Sequence, residues 1–412
     1  MVFHRETEFQ ETPIGKIPSD WTVTKLEEVL HLRNGERPKI SDGGGVPVYG
    51  ANGIMGYTNE VLVDNDFTIV VGRVGASGQI HLGEGKIWVS DNAIYSENYD
   101  NTRAYPPFLF YLLRYRKLEQ FASKTTHPII TQTFLNNFLI HLLPLEEQVA
   151  IVGVLGVVDS VIAKTGEVIA KTERLKKGLM QTLLTRGIGH KEYKYSKELR
   201  HKIPKDWEVK TLLDAVGGEE DAIVAGPFGS NLKVVDYRDE GVPIIRLQNI
   251  EYGRFINKDI KYTSPEKAEE LRYHSFLKGD IVLAKLGAPI GKTCIVPDFL
   301  ERGIVVADVV RIRVNGQFLN KKYAMYILNS LYVYNQLNRE TIGTTRPRVN
   351  LDQVRKLFIP IPSLPEQQRI AEILSTVDEK LEDERTEKAK LERIKQGLMD
   401  LLLTGKIRVK VD

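Results

Sequence analysis

The chain has 412 residues, 42% hydrophobic and 27% charged, enough for two or three domains with proper cores. Its 57 Lys and Arg against 54 Asp and Glu leave a net charge of +3, which argues against a non-specific DNA-binding protein with its usual basic excess. The single cysteine, Cys294, excludes an internal disulfide and suits a reducing cytoplasm.

The chain starts on MVFHRETEFQ, polar and mixed in charge, which reads as neither a signal peptide nor an anchor. After IPSDWTV at Ile17 come short segments rich in β-branched residues, such as DFTIVVGRV and GKIWVS, separated by Gly, Pro and Asn and predicting strands. PPFLFYLLRYRKLEQFAS predicts a helix opened by its prolines. YPPFL (Tyr105 to Leu109) is similar to the Asn/Asp-Pro-Pro-aromatic loop of adenine methyltransferases. Tyr105, however, replaces the side chain that would accept hydrogen bonds there, and no Gly-rich strand–turn–helix accompanies it.

The loop KTTHPIITQ leads into a long helix preceded by Pro144 and closed by Gly187. Its apolar run, Val149 to Val158, stops at Asp159 and is too short to span a bilayer, so no membrane is expected. From Arg186 to Lys205, seven Lys and Arg face two Glu, a local basic stretch. IPKDWEV at Ile203 then opens a second irregular region. GVPIIRLQN, KGDIVLAKLG and GIVVADVVRIRV lie in it, with NKKYAMYILNSLYVYNQLN as a helical stretch. GAPIGKT (Gly287 to Thr293) resembles a phosphate-binding loop, but it has three residues where four are needed and runs into CIVPD instead of a helix. GTTRPRVN leads into a second long helix, with Pro365 before it and Gly405 after it. The eight histidines show no metal-ligand pairing, and neither Gly-x-Ser-x-Gly nor His-Glu-x-x-His occurs, so no reaction centre or metal site is predicted.

Much of this is written twice. ERLKKGLMQTLLT (Glu173 to Thr185) and ERIKQGLMDLLLT (Glu392 to Thr404) share nine of thirteen residues at an offset of 219, and the match extends upstream. Asp159 falls on Asp378, Leu155 on Leu374, Ile151 on Ile370, Glu147-Gln148 on Glu366-Gln367, and Pro128 on Pro347. Two tandem units follow, about 1–187 and 188–412, each an α+β region with a bent sheet followed by one long helix. Sevenfold spacing gives each helix a coiled-coil seam. In the first it uses Ile151, Leu155, Val158, Ile162, Leu179 and Leu183. In the second it uses Ile370, Leu374, Val377, Leu381, Leu391, Ile394 and Leu398. Some 37 residues make a rod of about 55 Å.

The irregular regions carry candidate nucleic-acid contacts at matching places. Lys124, Thr125, Thr126 and His127 stand in one loop where Thr344, Thr345, Arg346 and Arg348 stand in the other. Arg246, Gln248 and Asn249 of IIRLQN answer Asn52 of GANG, and Arg73, Lys285 and Lys292 sit beside glycines that let backbone approach a ligand. Arg, Gln and Asn read guanine and adenine edges with paired hydrogen bonds, while Thr and Lys hold phosphates. Similar scaffolds with different tips fit two readers of two different short sequences.

Across essentially its whole length the chain resembles the specificity subunit of type I restriction–modification systems. The residues that carry this are SLPEQQRIAEILSTVDEKL with ERIKQGLMDLLLTGKI, the central copy PLEEQVAIVGVLGVVDSVI with ERLKKGLMQTLLTRGI, the IPSDW and IPKDW openings, and KGDIVLAKLGAPIGKTCIV. The resemblance implies target-recognition domains at 1–143 and 188–362. It implies spacer helices at 144–187 and 363–412, paired antiparallel in a pseudo-twofold repeat. It also implies a bipartite, asymmetric target in double-stranded DNA, two methyltransferase subunits, and restriction/translocase subunits, all in the cytoplasm. S-adenosylmethionine, ATP and Mg would belong to those partners, with no cofactor and no chemistry on this chain. Other classes the residues leave open are a coiled-coil interaction scaffold and a non-specific DNA-binding protein.

Overall fold

The computed structural model of the chain describes residues 2–123, 128–341 and 347–410. Two compact units emerge: residues 1–167 with 385–412, and residues 168–384. Each unit thus takes half of each long helix, so the division falls inside the helices and not at their ends.

The central helix, Leu145–Arg186, has 42 residues and the terminal helix, Leu364–Leu402, has 39. Gly187 and Gly405 follow them at φ +65° and +70°, the left-handed conformation that ends a helix without a Cβ clash. Pro365 lies inside the first turn, where its missing N–H leaves nothing unpaired, and not before the helix.

Within each unit the helix halves run antiparallel. In the first, Ile151 and Leu155 share a core with Met399, Leu402 and Leu403, with Leu398 packed beside it, and Asp159 meets Lys395 further along. In the second, Leu183 and Leu184 share a core with Ile370 and Leu374, Leu179 packs against it, and Lys176 meets Asp378. Leu381 is buried, while Val158, Ile162, Val377 and Leu391 are half-buried along the same rows. Ile394 departs from the expected seam, at 53% exposure. The row through Leu374 and Leu381 continues seven residues at a time to Lys388 and Lys395, which leaves Ile394 about 100° around the helix.

In the first unit a six-stranded sheet runs in the order Leu30–Asn34, Ala93–Tyr99, Val63–Gly72, Ile80–Val89, Val46–Gly50, Gly53–Thr58. All neighbours are antiparallel except Val46–Gly50 against Ile80–Val89. The second unit splits the same material into two four-stranded sheets, keeping one parallel pair, Val242–Ile245 with Arg302–Val305. Both predicted helical stretches break in two. Pro106–Tyr115 ends before Lys117, at φ +49°, and Lys321–Leu328 is separated from Leu331–Glu340 by Asn329 and Ser330. GAPIGKT is a loop leading into strand Thr293–Ile295, so the helix N-terminus that a P-loop needs does not follow it. Cys294 is buried, which pushes its thiol up to about 12 and leaves it inert.

The repeated Glu-Gln pair fastens each region to the helix that follows it. Gln148 accepts the Tyr105 N–H (2.9 Å) and donates to the Leu143 and Arg103 carbonyls (2.9 and 2.8 Å). Gln367 likewise accepts from Asn320 N–H (2.8 Å) and donates to Pro362 and Phe318 (2.9 and 3.1 Å). Both glutamines are fully buried, so each would leave several groups unpaired if removed. The glutamate beside each meets different partners. Glu147 holds Arg408 by two bonds of 2.8 Å, and Arg408 also binds Glu6 and Asp20 and lies over the Trp21 ring. Glu366 accepts from His190 (2.8 Å) and the Trp207 indole (3.0 Å). Strand Val2–Arg5 pairs antiparallel with Ile407–Lys410, within the first unit.

Candidate nucleic-acid interface

In both units the strand carrying the GRVGASG or KLGAPIGK glycines ends at a basic residue held in the same way. The Arg73 N–H donates to the Asn92 carbonyl (2.8 Å), its carbonyl accepts from Ile130 (3.1 Å), and Val74 bridges Ile129. The Lys285 N–H donates to the Asp308 carbonyl (2.9 Å), its carbonyl accepts from Val349 (3.1 Å), and Leu286 bridges Arg348. Ile130 and Val349 are 219 residues apart, so the correspondence seen in the sequence becomes one backbone geometry used twice. Gly72 is required for it in the first unit, since a Cβ there would lie 2.2 Å from the Ala76 carbonyl oxygen.

The side chains at these corners differ. Arg73 is half-buried, with one long contact of 3.4 Å from its guanidinium to the Asp91 carbonyl, so most of its donors stay available. The Lys285 amine is pushed down, by burial first and then by the Arg348 guanidinium beside it. Arg348 is itself about half-exposed and paired with Asp308. Lys285, Arg348 and Asn350 line a cleft whose other walls include Phe228, Tyr273 and His274. Phe228 is 84% exposed in the loop GPFGS. Sequence reasoning missed it, although a large apolar residue between two glycines was a visible signal. In the first unit a cleft is lined by Tyr49, Gly53, His81, Phe110, Arg114 and Lys117, of which Arg114 and Lys117 were likewise not foreseen.

Other expected contacts fare unequally. Asn52 is exposed at the turn between Val46–Gly50 and Gly53–Thr58, and Gln248 is exposed with its amide donating to Asp259 (3.2 Å). Asn249 departs from expectation. It is fully buried, accepts from the Arg246 N–H (3.0 Å) and donates to the Ile256 and Lys258 carbonyls (3.1 Å each), so it shapes the loop and offers no edge to a base. The Arg246 guanidinium bonds the Asp259 backbone and its carboxylate (2.9 Å) through one nitrogen, Nη2, from a side chain 17% exposed. Arg246 and a neighbouring Lys261 hold the Asp259 carboxyl below the usual range. Lys292 is neutralised by Glu251 (2.8 Å) and lies against the Tyr252 ring, so it is not a free phosphate ligand either. Lys124, Thr125, Thr126, His127, Thr344, Thr345 and Arg346 lie outside the described residues.

Two α+β units of one plan, each setting basic side chains beside a polar loop and each fastened to a repeated helix, define a protein that recognises a nucleic-acid target. A family model described as the type I restriction modification DNA specificity domain matches residues 18–174 and 204–393, and the chain belongs to that family of specificity subunits. It is 29% identical over 429 residues to the type I restriction enzyme MjaVIII specificity subunit of Methanocaldococcus jannaschii, covering all of this chain and 98% of that one. It is also 29% identical to the putative MjaX specificity subunit of the same organism, over 99% of this chain and 98% of the relative. The fold matches the solved S subunit of a type I restriction–modification system from M. genitalium at TM-score 0.63 and 17% identity, over 95% of this chain and 97% of that one. A second solved chain, described with the complex assembly of the type I R-M system, matches at 0.54 and 18% identity, over 95% and 99%.

Proposed function

We propose that this chain reads a split, asymmetric DNA target, one half-site per unit, and directs methyltransferase subunits to it without catalysing the reaction. The observation that carries the reading is the shared backbone corner at Arg73 and Lys285, which presents different side chains in the two units. One scaffold with two fillings serves two sequences, with Arg, Gln and Asn at base edges and Lys at phosphates. The spacer helices would fix the gap between half-sites on one face of the duplex. S-adenosylmethionine belongs to the methyltransferase partner, where a target adenine would be flipped for N6 methylation, and ATP and Mg belong to the restriction/translocase subunit. In this reading no membrane is involved and the complex works in the cytoplasm.

The exposed apolar residues of the central helix support a protein partner. Val149, Val157 and Val161 are 48%, 66% and 41% exposed on its first half, and the helix is long and apolar enough, by composition alone, to cross a bilayer. Its ion pair with Lys395 through Asp159 favours a covered protein face over lipid. A methyltransferase subunit docked there would bury that surface.

The test is selection of random duplexes by the purified complex of this chain and its methyltransferase partner. Two short enriched blocks at a fixed separation are expected. A single continuous block, or no enrichment at any salt concentration, would overturn the reading.

A further inference from the structure

One three-residue cluster occurs once in each unit with the same chemistry. In the first, the Tyr111 hydroxyl donates to Asp159 Oδ2 (2.7 Å), and Lys395 Nζ lies 2.6 Å from Asp159 Oδ1 and 5.4 Å from the Tyr111 ring centroid. In the second, the Tyr326 hydroxyl donates to Asp378 Oδ2 (2.7 Å), and Lys176 Nζ lies 2.5 Å from Asp378 Oδ1 and 5.9 Å from the Tyr326 ring centroid. The tyrosine comes from a helix of the irregular region, Pro106–Tyr115 or Lys321–Leu328. The aspartate comes from the long helix that follows that region, and the lysine from the other long helix. Asp159 and Asp378, like Lys176 and Lys395, are 219 residues apart, so each long helix gives its aspartate to one cluster and its lysine to the other.

These groups sit where stability alone would not put them. Lys176 and Lys395 occupy the heptad rows of Leu183 and Leu402, positions that leucine would fill with more buried apolar surface. Their side chains are only 20% and 17% exposed. Each aspartate is bonded from both sides, by the irregular region and by the opposite helix. A slip of one residue along the helix, about 1.5 Å, breaks both bonds together. Burial first, and then the bond to the aspartate, raises both tyrosine hydroxyls above the ordinary value, so they remain donors.

We infer that Tyr111–Asp159–Lys395 and Tyr326–Asp378–Lys176 are positioning clamps that fix each reader's orientation on the paired helices and so set the gap tolerated between the half-sites. The inference rests on the two-reader function proposed above. The first unit has a second tyrosine–aspartate strut, the Tyr115 hydroxyl to Asp400 (2.8 Å); among the described residues the second unit shows the longer pair Arg254 to Glu382 (3.4 Å). Loosening the Tyr326 clamp therefore has the larger effect.

The experiment measures methylation rates by the complex of full chain and methyltransferase on duplexes with the native gap and with one base pair added or removed. One base pair turns a half-site by about 35°. Y326F is expected to cut the preference for the native gap about tenfold, the size of one hydrogen bond to a charged group, and Y111F to cut it less. K176L separates positioning from stability, because it adds apolar area to the seam. It is expected to keep or raise the melting temperature and still relax the gap preference. If Y326F and K176L both keep the parent preference within about twofold, the clamp is overturned while the two-reader function stands. A parent complex with no preference for any split target would overturn both.

Discussion

At the start of the central helix Glu147 grips an arginine, Arg408, which also gathers Glu6 and Asp20. At the start of the terminal helix Glu366 takes the ring of His190 and the indole of Trp207. The carboxylate and the tryptophan keep their places in both units, Trp21 answering Trp207, and the side chain that meets the carboxylate changes from arginine to histidine. At the Glu366 junction the linker from Gly187 to Trp207 is one continuous chain. At the Glu147 junction the equivalent closure is made without covalent continuity, by strand Ile407–Lys410 on Val2–Arg5 and by the Arg408 cluster. A junction that chain connectivity does not enforce is given more charged hydrogen bonds, which are stronger than neutral ones. Away from the junctions the units diverge most at their tips, where recurrence of the backbone corner is all that remains common.

If the two junctions are equivalent, matched core truncations should cost the same. Leu155→Ala and Leu374→Ala remove fully buried repeat partners and should each destabilise the chain by about 2–5 kcal/mol in denaturant unfolding. A small loss at one and a large loss at the other would show that the two junctions are not equivalent.

Acid should separate the units. His141, buried against Trp21, is pushed down to about 4 by burial first and by Arg116 second, whereas Pro360 stands at the matching place in the second unit. Between about pH 6.5 and 4 the unfolded chain takes up a proton that the folded histidine refuses. Stability therefore falls as pH falls through that window, by about 3 kcal/mol at its end. His141→Phe should remove that slope in urea titrations at stepped pH; an unchanged slope would mean that the histidine does not limit the first unit.

At the interface, Arg73→Ala and Arg348→Ala should each weaken binding by about 1–3 kcal/mol and relax recognition in one half-site only, a different one for each. Equal loss in both half-sites would deny the one-reader-per-unit assignment. The smallest effect is expected from Lys292→Ala. Its charge is already met by Glu251, so affinity should stay within about 1 kcal/mol in the same assay.

The helices and the Glu-Gln pair were legible in the sequence because they recur at an offset of 219, and the closing glycines, 218 apart, because a helix end favours a residue without a Cβ. Ile394 was misplaced because an apolar residue was preferred over Lys395, whose stem lies along the seam while its ammonium meets Asp159. Asn249 and Arg246 looked like base readers by residue type. A single chain cannot reveal that a loop folds back far enough for Ile256 and Lys258 to consume the Asn249 amide and for Asp259 to hold one nitrogen of Arg246. Conversely, Tyr111 and Tyr326 gave no signal, since the offset between the repeats drifts upstream of the helices and the two tyrosines do not fall on each other.

The proposed function places two unlike readers on one repeated frame. Mapping methylated adenines in cells that carry this chain with its methyltransferase subunit tests it most directly. The prediction is one methylated adenine on each strand of a split, asymmetric motif, with methylation lost when this chain is removed. A continuous motif, or methylation that persists in the chain's absence, would contradict it.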